Sequence, residues 1–561
     1  MAEEKNLSWE SFFKKGGHYV VIFLIGVFLY FPSIFFDYTF LDDNVLILDH
    51  YFFIKDFSNI FEAFQKDIFL SPKPLAAYYR PIQTIFLMIG AHLGGKNPFG
   101  YHILSILCHI LAVFLLFFFL LKLNFNKSLS FFFSLLFLVH PVLTSAVVWI
   151  PGQVILLLTV FVIGFFIFLR EYFLRGRWYH YLLQLVFFAL ALFTQEPALI
   201  AFFLAFFFIK LVLKEKLLSL KCAKLTLGWL GVLGLWHSLR SAAIGGKFYI
   251  LTFGEMLKSI FYNLPALFQY LGKVFFPFNL STLPTIKDTT FLYGILAIFL
   301  LAILFFLTKR KNLNLMIFGL IWFGGFLVPS FAQPNPHIPA NFSEHRIYLP
   351  LIGLIIFLAE LVPFKNINFK KRIWLSLAII LLISFSLLTV FHSHHFKNRI
   401  SFWENAAKNS PHLPLARRNL GAMYYLDGKL AKAEKEYRAA LSLNPFEPMV
   451  HNNLGLIYME KGDFQKAKEE FEAEIKINPY YETAYYNLGI LYYKLGKAEE
   501  AKNLWKKTIE INPDYLDAYF SLFESYLKEK NWERVNYWAN KLQEKGIKID
   551  LDKLKILESQ K

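Results

Sequence analysis

Apolar residues fall along this chain in blocks of about twenty, the length that spans a bilayer, separated by short polar loops up to about residue 400. The blocks lie near 18–36, 99–121, 128–141, 152–169, 180–194, 197–213, 225–242, 289–308, 314–331, 346–362 and 373–391, which predicts about eleven transmembrane helices. The first run is long and lacks a small-residue cleavage site, so it reads as a retained first helix and not as a signal peptide. Residues 37–98 are too long for a plain connector and read as a first outer loop with short amphipathic helices on the membrane surface. Residues 256–277 carry Asn263, Pro265, Gln269 and Lys273 in an apolar setting and read as a further interfacial helix.

Beyond residue 400 the pattern changes to a charged, aromatic-rich sequence with a period of 34. Asn-Pro recurs at 444–445, 478–479 and 512–513, and Asn-Leu-Gly at 419–421, 453–455 and 487–489. Gly428, Gly462 and Gly496 hold one phase; Ala433, Ala467 and Ala501 another; Tyr437, Phe471 and Trp505 a third. That is the length and phasing of the tetratricopeptide (TPR) repeat, in which small residues sit where paired helices approach and large aromatics fill the gaps. Units at 411–444, 445–478, 479–512 and 513–547 follow, the last with Lys530 where the others have Gly, then a polar capping helix to residue 561. The predicted fold is thus all-α: an integral-membrane bundle over 1–395 and a TPR α-solenoid over 396–561.

Composition sharpens this picture. With 56% hydrophobic residues, 66 Phe and 18% charged residues, the chain is not a single soluble enzyme. The net charge of +17 would suggest nucleic acid, but residues 401–561 hold 25 Lys+Arg against 24 Asp+Glu, leaving 33 against 17 for the apolar part. The excess collects in alternate short loops, as in Lys122 and Lys127, Arg170, Arg175 and Arg177, or Lys309, Arg310 and Lys311. Basic loops stay cytoplasmic, so the N-terminus is expected inside, and the 37–98 loop and the TPR region outside, with no nucleic-acid partner. Cys108 and Cys222 give neither a disulfide framework nor metal spacing.

The strongest chemical signal is Asp42-Asp43, directly after the first span. Charge at the bilayer centre costs about 2.5–3.5 kcal/mol, so the pair belongs at the outer face. A carboxylate there can accept the proton of an attacking hydroxyl; the alternative is a helix-end or loop acid. Spacing does not divide the two roles, although Asp42 is the first choice as base.

Several phrases carry a family resemblance: FLDDN at 40–44, Tyr79-Arg80-Pro81, Asn97-Pro98-Phe99-Gly100, VHPVLTSAVVWIPG at 139–152, FTQEP at 193–197, SEHRIYLPLIG at 343–353, and the repeat tail. Together they resemble the transmembrane and TPR-containing O-mannosyltransferases and their prokaryotic relatives, of the GT-C class of membrane glycosyltransferases. The resemblance implies a mannosyltransferase-like enzyme that takes a polyprenyl-phosphate-linked sugar, inverts the anomeric centre and modifies an acceptor hydroxyl outside the cytoplasm. It puts the first-loop acid at Asp42 or Asp43. It makes Arg80 either a phosphate contact or a structural partner of an acid such as Asp42. His140 is a substrate contact or a cap, and Glu196 a functional acid or a helix-start acid. Glu344, His345 and Arg346 open the tenth span, Arg346 as a phosphate ligand or an interfacial snorkelling cation. The lipid phosphate is a good leaving group, so no metal or other cofactor is expected.

Departures accompany the resemblance. Ser145, Gln153 and Ile155 stand where relatives carry an acid, an arginine and a second acid, and Gln195 replaces a lysine. The expected partners are membrane lipid, the lipid-linked sugar and an acceptor protein held in the TPR groove. The alternative is a non-catalytic membrane anchor that displays the TPR scaffold for envelope assembly. A transporter would need repeated halves with broken helices, and residues 1–400 show no internal repeat.

Overall fold

The computed structural model describes residues 16–70, 78–245, 252–309, 311–332, 342–362, 364–367, 369 and 371–549. Among them every regular element is helical. The chain forms two compact units, Met1–Ser410 and Pro411–Lys561. The division falls after the helix Arg399–Asn409, later than the expected residue 395, because that helix is tied into the first unit. Trp403 Nε1 donates to Thr39 O at 3.1 Å, and Thr282 Oγ1 donates to Phe402 O at 3.0 Å.

In the first unit a helix occurs in each of the eleven predicted blocks. Five are long and apolar enough to cross a membrane: Gly17–Phe35, Phe99–Lys122, Ile150–Arg175, Leu313–Phe331 and Arg372–Phe396. Lys127–Leu138 and Pro141–Val148 pass the same test only as a pair bent by 50°. Pro141 supplies no N–H to continue the first helix, and the His140 side chain instead caps the next turn through Val142 N at 3.3 Å. Ile150–Arg175 lies at the centre, 89% of its apolar window buried, whereas Arg372–Phe396 is 6% buried and presents its Ile and Leu side chains outward.

Helices approach most closely where both partners are small. Gly319 and Gly353 face each other between Leu313–Leu327 and Tyr348–Ala359, and a Cβ on Gly353 would stand 2.4 Å from the Gly319 carbonyl oxygen. The expected interfacial helix at 256–277 is two helices, Phe253–Asn263 and Ala266–Phe275, because Pro265 interrupts the hydrogen-bond ladder.

Among the described residues the second unit holds four helix pairs, beginning with Pro414–Leu426 and Leu430–Leu443 and ending with Leu516–Lys528 and Trp532–Glu544. Gly421, Gly455 and Gly489 each lie under the ring of Tyr437, Phe471 or Trp505, where a Cβ would come within 2.5–2.8 Å of a ring atom. Gly428, Gly462 and Gly496 end the first helix of each pair with φ of 70°, 76° and 77°, and Lys530 adopts the same left-handed turn at φ 57° in the fourth. Residues 550–561 of the expected capping helix lie outside the described residues.

Candidate functional site

The first loop is shaped by one buried carboxylate. Asp43, 1% exposed, accepts hydrogen bonds from Thr39 N (2.7 Å), Thr39 Oγ1 (2.8 Å) and Phe40 N (2.8 Å). Closing so tight a turn drives Phe40 and Asp42 into left-handed backbone, φ 59° and 68°. Trp149 Nε1 pins it from the side through Leu41 O at 3.2 Å. Asp43 therefore faces inward as the anchor of the loop, and Asp42 is turned the other way, into a cavity of about 600 Å³.

Separate stretches of sequence meet at that cavity. Arg80, preceding the helix Pro81–Gly94, reaches Glu196 at the start of the 3-10 helix Glu196–Ala198: Nε and Nη2 donate to Oε2 at 3.1 and 3.0 Å, and Tyr79 N donates to Oε1 at 3.2 Å. The guanidinium also sits 4.5 Å over the Tyr78 ring. The structural partner of Arg80 is thus Glu196 and not Asp42. The 3-10 helix Glu344–Ile347 contributes His345, whose ring lies 5.3 Å from that of Trp149, and Arg346, whose Nη1 donates to Ser330 O at 3.2 Å. Val154, Ile155, Leu158, Leu199, Ile200, Phe326 and Leu349 give the same cavity an apolar side.

Electrostatics separate the two first-loop acids. Although the Asp42 side chain opens on the cavity, the surrounding walls desolvate its carboxylate and raise its pKa, against the pull of the Arg80 charge. Burial pushes Asp43 up to about 6 in spite of its three hydrogen bonds. His345 is pushed down to about 3 by burial and by the neighbouring Arg346 and Arg80, so it is a neutral imidazole at physiological pH.

Besides Asp43, two predicted residues lie off the cavity. His140 is buried off the cavity, with Nε2 within 3.1 Å of Val274 O, its ring edge-on to Phe385 and Nδ1 capping Val142 N. Glu344 points away from the cavity into a buried cluster, accepting from Lys273 Nζ (2.6 Å), Ser281 N (2.8 Å) and His392 Nε2 (3.0 Å). Of the departures, Ser145 and Gln153 are buried off the cavity, with Gln153 Oε1 accepting from Ser105 Oγ at 3.3 Å, and Ile155 is part of the apolar wall. Sequence reasoning missed Trp149, Gln83 and Gln195 as cavity residues. Gln195 carried a signal as the residue that replaces a lysine directly before Glu196, and Gln83 lies three positions after Arg80 in the first turn of Pro81–Gly94.

Comparison with known proteins agrees with both units. Two repeat models match the tail, Tetratricopeptide repeat at 483–515 and TPR repeat at 421–462 and 455–496. The chain is similar to Protein O-mannosyl-transferase F38B6.6 of Caenorhabditis elegans, 24% identical over 390 residues, covering 65% of this chain and 54% of that protein. It is also similar to Protein O-mannosyl-transferase TMTC1 of Homo sapiens, 38% identical over 76 residues, 13% of this chain and 9% of the relative. The chain thus spans about half the length of the first and a small part of the second. A match over 65% of the chain is longer than the Pro411–Lys561 tail can supply, so it includes part of the membrane unit. Among solved structures, the crystal structure of MamA is 24% identical, covering 26% of this chain and 86% of its own, with a TM-score of 0.24. The first TPR of Spaghetti (RPAP3), bound to an HSP90 peptide, is 24% identical over 21% of this chain and 93% of its own, with a TM-score of 0.20. With its apolar helices, its repeat tail and relatives of that name, the chain fits the TPR-containing O-mannosyltransferase family.

Proposed function

We propose that the chain is an inverting membrane glycosyltransferase that moves a sugar, mannose by analogy with its relatives, from a polyprenyl phosphate to an acceptor hydroxyl, Ser or Thr of a protein, on the extracytoplasmic face. The observation that carries this reading is one cavity holding Asp42, whose carboxylate has no hydrogen-bond partner among the described residues, together with Arg346, a neutral histidine and an apolar wall. The lipid runs along the apolar side, and its phosphate lies against Arg346, whose planar fork suits phosphate oxygens. Arg80 is committed to Glu196. It sets the shape and potential of the site.

In the reaction the acceptor oxygen attacks the anomeric carbon. The bond from that carbon to the phosphate oxygen breaks, polyprenyl phosphate leaves with the electron pair, and the acceptor proton passes to Asp42. Phosphate is a good leaving group without further activation, so the reading asks for no metal or other cofactor. Basic loops on the cytoplasmic side and the TPR tail outside complete it, the tail supplying a concave surface for the acceptor protein.

The test is a transfer assay with a panel of polyprenyl-phosphate sugars on the full chain in lipid. Wild type consumes one donor; Asp42→Asn loses at least a hundredfold in rate, the contribution of a positioned base being about 10²–10⁴. Failure of wild type to consume any donor would leave a membrane-anchored TPR scaffold as the better reading. Full activity in Asp42→Asn would remove that residue as the base.

A further inference from the structure

Buried polar atoms usually find partners, because an amide left without one costs about 1–3 kcal/mol. Of the buried side-chain atoms that lack a partner among the described residues, two belong to residues lining the cavity: Gln83 Oε1 and Gln195 Oε1. Gln83 is only 2% exposed and belongs to the cavity lining, so its carboxamide oxygen is left without a partner beside a space that a ligand can enter.

Their positions are specific. Gln83 lies in the first turn of Pro81–Gly94, three residues after the cap residue Arg80, and Gln195 directly precedes Glu196. Both residues line the cavity that also holds the Arg80–Glu196 ion pair and Asp42. Trp149, held through its indole N–H by the Leu41 carbonyl, adds an aromatic wall next to the Asp42 turn.

Chemistry selects the ligand group. A carboxamide presents an acceptor oxygen and a donor nitrogen on one planar head. A sugar hydroxyl, both donor and acceptor, satisfies it in either orientation. A phosphate, which only accepts, is repelled by the carboxamide oxygen and has arginine nearby instead.

We infer that Gln83 and Gln195 form the hydroxyl-recognition subsite for the transferred sugar and so determine which uncharged hexose the cavity takes. This rests on the lipid-linked glycosyltransferase reading, and it adds specificity residues that neither the Asp42 role nor the Arg346 role requires. Replacing either carboxamide by an apolar side chain of equal length removes the sugar's contact and leaves the lipid and phosphate contacts in place.

The experiment compares two soluble probes, citronellyl phosphate and citronellyl-phosphate mannose, titrated calorimetrically into the detergent-solubilised full chain. Wild type should bind the mannosyl probe more tightly than the bare phosphate. Gln83→Met and Gln195→Met should each lose about tenfold in affinity for the mannosyl probe, the worth of one hydrogen bond to a buried group, and change less than twofold for citronellyl phosphate. Retained phosphate binding also certifies that a variant is folded. Should Gln83→Met not fold, the half-buried Gln195 gives the same readout. Equal loss on both probes, or no loss on either, overturns the subsite while the donor reading stands. Binding of neither probe by wild type overturns both.

Discussion

Lys273 and Glu344 form an ion pair almost wholly out of water, with side-chain exposures of 2% and 0% and a separation of 2.6 Å. Lys273→Met keeps most of the side-chain volume and leaves the Glu344 carboxylate buried with Ser281 N and His392 as its remaining donors. Breaking a buried pair from one side costs about 3–5 kcal/mol. The two surviving donors put this case near the lower end, about 3 kcal/mol. For a unit of 410 residues, an unfolding entropy of about 2.1 cal/mol/K per residue converts that loss into a fall in Tm of about 3–4 °C. Both cysteines, Cys108 and Cys222, are buried in this unit and the repeat tail has none, so a thiol-reactive fluorophore added during heating reports its unfolding alone. The double variant Lys273→Met with Glu344→Gln removes the orphaned charge but retains an acceptor for Ser281 N, and should recover more than half of the lost Tm. A single variant within 1 °C of wild type, or a double variant as unstable as the single, would refute the reasoning.

Further expectations follow from the same geometry. Asp43, with its pKa raised to about 6, takes up a proton as the pH falls from 7 to 5 and gives up part of its hold on Thr39 and Phe40. Transfer activity should therefore decline over that interval, and Asp43→Asn, neutral throughout, should lose the part of the decline centred near pH 6 and keep the acid limb set by Asp42. Because the native state holds this proton more tightly than the unfolded chain, the group's contribution to stability is present at low pH and lost as the pH rises through about 6. Arg80→Gln removes the charge that opposes the rise in the Asp42 pKa, so the acid limb of the pH–rate profile should move to higher pH. Gly353→Ala drives a methyl to 2.4 Å from the Gly319 carbonyl and 2.6 Å from Phe323 N. Overpacking of about 1–3 kcal/mol or more should lower the thiol-reported Tm. Gly455→Ala, against Phe471, should leave that signal unmoved and lower only the melting of tail helicity.

The repeat tail was legible almost residue by residue, because a 34-residue period fixes the phase of Gly, Ala and aromatic positions before any contact is known. Block length placed a helix in each of the eleven blocks, but among the described residues only five are long and apolar enough to cross a membrane alone; Pro141 bends a sixth, and Pro265 splits the helix expected at 256–277. At the cavity, the identities of Asp42, Arg80, Glu196, His345 and Arg346 could be read, but the division of labour between Asp42 and Asp43 could not. It depends on which acid the Thr39 and Phe40 amides capture, and adjacent residues do not announce that. Glu344 was misleading for another reason. Its partners Lys273 and His392 lie 71 and 48 residues away, so a charge that seemed to open on the site with His345 and Arg346 is neutralised behind it.

The left-handed backbone at Asp42 bears on how the proposed base should be removed. A non-glycine residue in that region is held about 1–2 kcal/mol above its relaxed conformation, and Asn tolerates it better than most side chains. Asp42→Gly would relax the turn and could yield a sturdier protein without a base, whereas Asp42→Ala would add strain to the loss of the carboxylate. Asn is the replacement that subtracts the charge and little else. The wild-type turn, in this view, trades a little stability for the direction of one carboxylate, and selection for stability alone would be expected to erase it.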